Sequence, residues 1–157
     1  MLYYNMLSVG DGGVKVAEMP LQGTHHVRVI RPAWHDAHKW FPRTRDRAEV
    51  RSHALKLRYW PEKNPETDAG LLLDVDWCWI KELAGLDIGE LRITNTIGGH
   101  DNIRVVFYRG DQAVRRPLPV IWVLSAMQKK SMGWTTANLK TFKARRTLVI
   151  ERFYKYK

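Results

Sequence analysis

The sequence predicts an α+β fold in which a mainly antiparallel sheet packs against helices. Three apolar runs, residues 81–93, 102–110 and 118–130, follow one another and are separated by turn-forming residues. Runs rich in Val, Ile, Leu, Phe and Tyr that are bounded by Gly, Asn, Asp and Pro are typical of consecutive strands in a β-meander. Segments that favour helices lie before and after them, so we expect a central sheet with helices contributed by both ends of the chain.

The first half predicts one strand and two helices. Residues 25–30 alternate in polarity and are rich in β-formers, which favours a first core strand. Residues 33–59 favour helix, and Pro42 is expected to divide them, because a proline inside a helix removes a backbone hydrogen bond. The second helix is expected to begin near Thr44 or Asp46.

The last segment predicts a third helix, although residues 147–154 fit a strand equally well. Thr135 or Thr136 can cap this helix. Apolar residues recur at helical intervals, with Arg146 interrupting them: Leu139, Phe142, Val149 and Phe153. The other cations of the segment are then expected to be largely exposed: Lys140, Lys143, Arg145 and Arg152.

At 157 residues the chain suits one domain with its own core. We assign residues 25–157 to that domain and residues 1–24 to an N-terminal extension. The glycines in this extension lack the Lys-Ser/Thr pair of a phosphate-binding loop.

The charge of the chain predicts a polyanionic partner. The formal net charge is +10, and two basic segments, residues 25–63 and 117–157, flank an acidic one, residues 64–84. Nucleic acid, an anionic membrane surface or an acidic protein fits such a charge, whereas the simpler alternative is a basic protein kept soluble by it.

Several classes of protein are disfavoured. The lone Cys78 argues against a disulfide scaffold and fits a reducing cytoplasm, and neither a membrane span nor a signal peptide is recognisable. His35 and His38 can share a helix face, but no further ligands complete a metal site, so we expect no metal and no cofactor. Asp74 and Asp76 would share one side of a strand, where they could serve acid–base chemistry or form a solvated acidic face.

The order of the central motifs is similar to that of the RelE/HigB superfamily of bacterial and phage toxins. The matching pieces are residues 83–86, Glu90-Leu91-Arg92, residues 104–108 and residues 121–131, followed by a capped helix. The resemblance covers roughly residues 81–153 and, more loosely, residues 25–64. Two departures are Ala126-Met127-Gln128, where the family has a His or an aromatic residue before the Lys pair, and an insertion at residues 115–119.

The resemblance implies a small fold with a twisted, mainly antiparallel sheet packed against two N-terminal helices and a C-terminal helix. It implies the toxin of a type II toxin–antitoxin system, a metal-independent endoribonuclease that cleaves mRNA on the ribosome and is neutralised by a cognate antitoxin. Two rivals remain: a non-catalytic nucleic-acid-binding module and a protein-interaction module for an acidic partner.

Metal-independent RNA cleavage needs cations beside the scissile phosphate and groups that transfer protons. Arginine can hold two phosphate oxygens and stays charged, so Arg92 and Arg104 are expected to stabilise the phosphorane. Lys129 or Lys130 can hold the phosphate or transfer a proton, and Tyr108 is either a proton-transfer group or a core aromatic. Ordinary alternatives are an Arg92–Glu90 ion pair, an exposed strand position for Arg104 and a solvated turn for the lysines.

Further cations are expected to bind RNA phosphates away from the scissile bond. They lie in or next to the second and third predicted helices: Arg43, Arg45, Arg47, Arg51, Lys140 and Lys143. Such contacts would make binding depend on salt. Trp60 and Trp134 either stack on bases or pack in the core.

Overall fold

The computed structural model describes residues 23–110 and 118–154. Most of the predicted N-terminal extension and of the insertion at residues 115–119 lies outside these ranges. The strands are β1 (His26–Val29), β2 (Trp77–Trp79), β3 (Ile88–Ile93), β4 (Ile103–Arg109) and β5 (Val120–Gln128). The α-helices are α1 (Arg31–Trp40), α2 (Thr44–Ala54) and α3 (Thr136–Val149). Short 3₁₀ turns at Leu55–Tyr59 and Lys81–Leu83 and a π-helical turn at Ile150–Tyr154 complete the description.

The strands form one five-stranded mixed sheet in the order β1-β5-β4-β3-β2. The predicted meander is confirmed, since β3, β4 and β5 are antiparallel neighbours and β2 pairs antiparallel with β3. β1 pairs in parallel with β5, with Val27 opposite Ile121. The predicted α+β class with a mainly antiparallel sheet is therefore confirmed.

An aromatic cluster fills one face of the sheet near β2. Trp60, which follows α2, lies 5.3 Å from Trp77, and Trp77 lies 6.1 Å from Phe107, measured between ring centroids. Gly89 makes room for these rings, because an added Cβ atom would come within 2.6 Å of the Phe107 ring. Trp60 is buried in this cluster, which fits the core alternative for that residue.

The break at Pro42 divides α1 from α2 as predicted, and a side chain from α2 stabilises it. The Nη1 atom of Arg47 donates to the carbonyl oxygens of Phe41, at 2.9 Å, and Pro42, at 2.8 Å. These carbonyls follow the last turn of α1, where backbone acceptors lack helical partners. Arg47 therefore stabilises the connection between α1 and α2.

The C-terminal segment is helical, and Thr135 caps it by accepting a hydrogen bond from the backbone N–H of Asn138 at 3.0 Å. The expectation that Arg145 is largely exposed is wrong. Its Nη1 atom donates to Asp36 of α1, at 2.5 Å, and to the carbonyl oxygen of Leu124, at 2.8 Å. Arg145 therefore joins α3 to α1 and to the middle of β5.

We predict that Arg145→Ala lowers the free energy of unfolding by about 2 to 3 kcal/mol, because it leaves a half-buried carboxylate without its cation. Lys143→Ala, an exposed change on the same helix, is the control and is expected to have little effect. Chemical denaturation measures both. In a double-mutant cycle with Asp36→Ala, a coupling energy near zero would contradict the prediction.

We also predict that stability falls as the solution is acidified from about pH 7.5 to about pH 5.5. Burial, and next the charge of Arg28, lowers the pKa of His26 below its ordinary value. The unfolded chain then binds a proton at a pH at which the folded chain does not, so acid favours unfolding. Denaturation at both pH values should show that the free energy of unfolding falls less for His26→Gln than for the wild type. Equal falls in the two proteins would show that His26 does not cause the loss of stability in acid.

Candidate functional site

Four of the predicted site cations line one open depression of about 760 Å³. We call it the basic depression, and its cations are Arg92, Arg104, Lys129 and Lys130. Its other polar lining residues are Asp76, Thr94, Asp101, Asn102 and Gln128. Residues far apart in sequence thus meet at one end of the meander, as the strand order requires.

Strand register brings the two arginines together. Arg92 of β3 lies directly opposite Arg104 of β4, and residues directly opposite in neighbouring strands point to the same face of a sheet. The end of β5 is fixed beside them by Asn102. Its Nδ2 atom donates to the carbonyl oxygen of Lys129 at 2.6 Å, and its own carbonyl accepts from the Lys129 N–H at 2.9 Å.

The two arginines differ in how their charges are used. The Nε atom of Arg104 donates to Glu90 at 2.8 Å, and the two side chains are only 12% and 8% exposed. Glu90 also accepts a hydrogen bond from Trp134 Nε1 at 3.4 Å. Arg104, and not Arg92, is therefore the ion-pair partner of Glu90.

Arg92 is exposed, and its side chain makes no hydrogen bond or ion pair with any residue in the parts of the chain that the structure describes. Its backbone N–H donates to the carbonyl oxygen of Asp76 at 2.8 Å. A guanidinium that is held by its strand but not neutralised is available to bind an anion.

Each lysine of the basic depression lies over an indole ring. The Lys129 Nζ atom is 5.0 Å from the centre of the Trp134 ring, and the Lys130 Nζ atom is 5.1 Å from that of Trp40. Contact with an aromatic face favours a cation and restricts its position. Trp134, a candidate for base stacking, is buried, whereas Trp40 is half-buried and lies in a helix that the sequence did not connect with the site.

Tyr108 does not line the basic depression. It lies four residues beyond Arg104 on β4, about 13 Å along the strand, and it pairs with Ile88. Its ring is buried beneath the guanidinium of Arg146, whose Cζ atom is 5.1 Å from the ring centre. This position fits the alternative of a core aromatic.

The six cations predicted to bind RNA elsewhere lie outside the lining of the basic depression. Arg43, Lys140 and Lys143 are exposed, and Arg45 is exposed with a distant 3.9 Å approach to Asp46. Arg47 binds the carbonyls after α1, and Arg51 is half-buried. These side chains surround α2 and α3 rather than forming one cluster with the four central cations.

Sequence reasoning missed three polar side chains, two in the turn between β3 and β4 and one at the end of β5. Gln128 Nε2 donates to Asp101 at 2.9 Å, and Gln128 Oε1 lies 3.2 Å from His100 Nδ1. The Gly98-Gly99 pair was the available signal, since adjacent glycines between strands indicate a tight hairpin turn that places the next residues beside the neighbouring strand. Asp76 lines the depression, but Asp74 and Asp76 both precede β2, so the expected strand alternation does not apply to them.

Residues 23–110 and 118–154 contain neither a metal-binding cluster nor a membrane-spanning helix. No group of three or more His, Cys, Asp or Glu side chains there is placed to hold a metal ion. No helix in those ranges has the length and apolar character needed to cross a membrane.

No model of a known protein family matches the chain, and no curated protein matches it. Among solved structures, a mutant of the E. coli toxin RelE in the free state is similar, with 12% sequence identity and a TM-score of 0.43. The similar region covers 81% of this chain and 98% of that chain.

We predict that the same substitution at the two facing arginines has unequal effects on stability. Arg104→Gln strands the buried Glu90 carboxylate and should lower the free energy of unfolding by about 2 to 4 kcal/mol. Arg92→Gln removes an exposed, unpaired charge and should change it by less than about 0.5 kcal/mol. Urea denaturation of both variants tests this, and equal losses would show that Arg92 also has a structural partner.

Proposed function

We propose that this protein is the toxin of a type II toxin–antitoxin system, an endoribonuclease that cleaves mRNA on the ribosome without a metal ion. The observation that carries the proposal is the convergence of Arg92, Arg104, Lys129 and Lys130 on one open depression. The resemblance of the central motifs to RelE/HigB toxins supports it. In this proposal a cognate antitoxin holds the protein inactive.

In the proposed reaction, Arg92 binds the scissile phosphate. Its guanidinium can donate to two non-bridging oxygens and is not neutralised by a neighbouring carboxylate, so it stabilises the negative charge that develops on the phosphorane. Lys129 and Lys130 bind the same phosphate or the next one. Arg104 lies behind them, and its ion pair with Glu90 fixes the wall of the depression rather than adding net positive charge.

The exposed cations outside the basic depression extend the proposed RNA path. Arg43, Arg45, Lys140 and Lys143 provide charge for phosphates on either side of the scissile bond. Arg47 is less suited, because its Nη1 atom already serves two carbonyl oxygens. Binding of this kind weakens steeply as salt is raised, since it releases counterions from the RNA.

A second candidate is a nucleic-acid-binding module that does not cleave. Two observations favour it: Glu90 neutralises Arg104, and Tyr108 is buried away from the depression. Arg104 was expected to stabilise the phosphorane, and Tyr108 was expected either to transfer a proton or to pack in the core. The remaining cations would bind RNA phosphates whether or not cleavage follows.

We predict that expression of the wild type in a bacterial host arrests growth and produces new mRNA 5′ ends within translated regions. Arg92→Ala should abolish both effects, because it removes the main contact to the phosphate while leaving the fold intact. Arg152→Ala, an exposed cation after α3, is the control and should behave like the wild type. Sequencing of 5′ ends measures the result.

In vitro, cleavage of mRNA on purified ribosomes should leave 5′-hydroxyl ends, since the 2′-hydroxyl is the nucleophile. Intact mRNA in cells that contain folded, antitoxin-free protein would overturn the nuclease. If Arg92-dependent, salt-sensitive RNA binding then remained, the non-cleaving module would be the function.

A further inference from the structure

One acidic side chain lies among the cations of the basic depression without being neutralised. Asp76 lines the depression and is half-buried, and its carboxylate makes no hydrogen bond or ion pair with any residue in ranges 23–110 and 118–154. The other lining carboxylate, Asp101, accepts a hydrogen bond from Gln128 Nε2 at 2.9 Å. A free carboxylate is unexpected in a site for anions, because it repels phosphate and opposes the attraction of the neighbouring cations.

The register of the sheet places Asp76 beside Arg92. The pairing of β2 with β3 sets Trp77 opposite Leu91. It continues for one more residue, since the Arg92 N–H donates to the carbonyl oxygen of Asp76 at 2.8 Å. Asp76 is therefore opposite Arg92, which is itself opposite Arg104. The Cβ atoms of directly opposite residues lie about 5 Å apart, so a free carboxylate and a free guanidinium stand side by side in the depression.

The backbone that carries the Asp76 carboxylate is held on both sides by buried residues. Val75 and Trp77 are only 0% and 9% exposed. The Val75 N–H donates to the carbonyl oxygen of Lys63 at 2.8 Å, and the Trp77 Nε1 atom donates to that of Pro61 at 3.0 Å. The position of Asp76 is therefore set before a ligand arrives, and a ligand loses little affinity to the ordering of this segment.

The basic depression thus has two chemically different parts. Arg92, Lys129 and Lys130 attract phosphate, whereas a carboxylate repels phosphate and can only accept hydrogen bonds. A polyanion without hydrogen-bond donors meets that repulsion with nothing to offset it. A nucleotide, in contrast, carries neutral donors near its phosphate, namely the ribose 2′-hydroxyl and the N–H groups of its base. A hydrogen bond from such a donor to the carboxylate offsets the repulsion.

We propose that Asp76 determines the specificity of the basic depression by accepting a hydrogen bond from a neutral donor of the nucleotide whose phosphate binds Arg92. The inference deepens the proposed function, because it rests on RNA binding in the depression. Asp76 then selects nucleotides against other polyanions. The donor is either the ribose hydroxyl or an N–H group of the base. DNA lacks the first and a base-free ribose–phosphate chain lacks the second, so these two ligands distinguish the sources.

The test measures binding of the purified full chain to three oligomers of equal length and charge: RNA, DNA of the same sequence and a ribose–phosphate chain without bases. We expect the wild type to bind RNA about tenfold more tightly than at least one of the other two, as for a hydrogen bond to a charged group. Asp76→Ala should remove this preference. Asp76→Asn keeps an accepting oxygen and should retain part of it. A preference over DNA identifies the hydroxyl as the donor, and a preference over the base-free chain identifies the base.

Asp74→Ala is the matched control, since it removes the same charge from an exposed position outside the lining of the depression and should leave the preference unchanged. If Asp76→Ala tightened the binding of all three oligomers by one common factor, the carboxylate would act through its charge alone. That result would overturn the inference and leave the nuclease intact. A wild type that shows the preference but does not cleave mRNA on the ribosome would overturn the nuclease and leave the inference. A wild type that binds none of the three would overturn both.

Discussion

The buried carboxylate of Glu90 is the group on which the candidate site depends. It accepts hydrogen bonds from Arg104 of the next strand and from Trp134 before α3. Trp134 in turn lies under Lys129 and packs edge-on against Phe142 of α3, with centroids 5.0 Å apart. Glu90 thus fixes the positions of Arg104, of the Trp134 ring under Lys129 and of the start of α3. An unpaired charge at this depth would be costly.

The positive charge of the chain therefore has two different uses. Arg104 and Arg145 are committed to carboxylates, and Arg146 donates to the carbonyl oxygen of Leu86 at 2.7 Å. These cations hold elements together and add little to the capacity for binding anions. Arg92 and Lys130 are exposed instead, so their charges are accessible to a polyanion.

Local patterns predicted β1, β3, β4 and β5, the break at Pro42 and the meeting of Arg92 with Arg104, because consecutive strands of a meander become neighbours. The same patterns could not predict which arginine pairs with Glu90. Glu90 and Arg92 share a face two residues apart, yet the partner comes from β4. The contacts of Asp36 with Arg145 and of His100 with Gln128 join residues 109 and 28 positions apart, and no spacing rule reports them.

The parallel pairing of β1 with β5 has a consequence for synthesis of the protein. Among the strands of residues 23–110 and 118–154, β1 is made first, but the strand it pairs with, Val120–Gln128, is the last and lies between β1 and β4. A nascent chain that ends before β5 can form the hairpin of β3 and β4, but β1 then has no strand with which to pair. Sequence-distant pairing of this kind is slow to form, so the two lysines after β5 join the arginines only after β5 has been synthesised and has paired with β4.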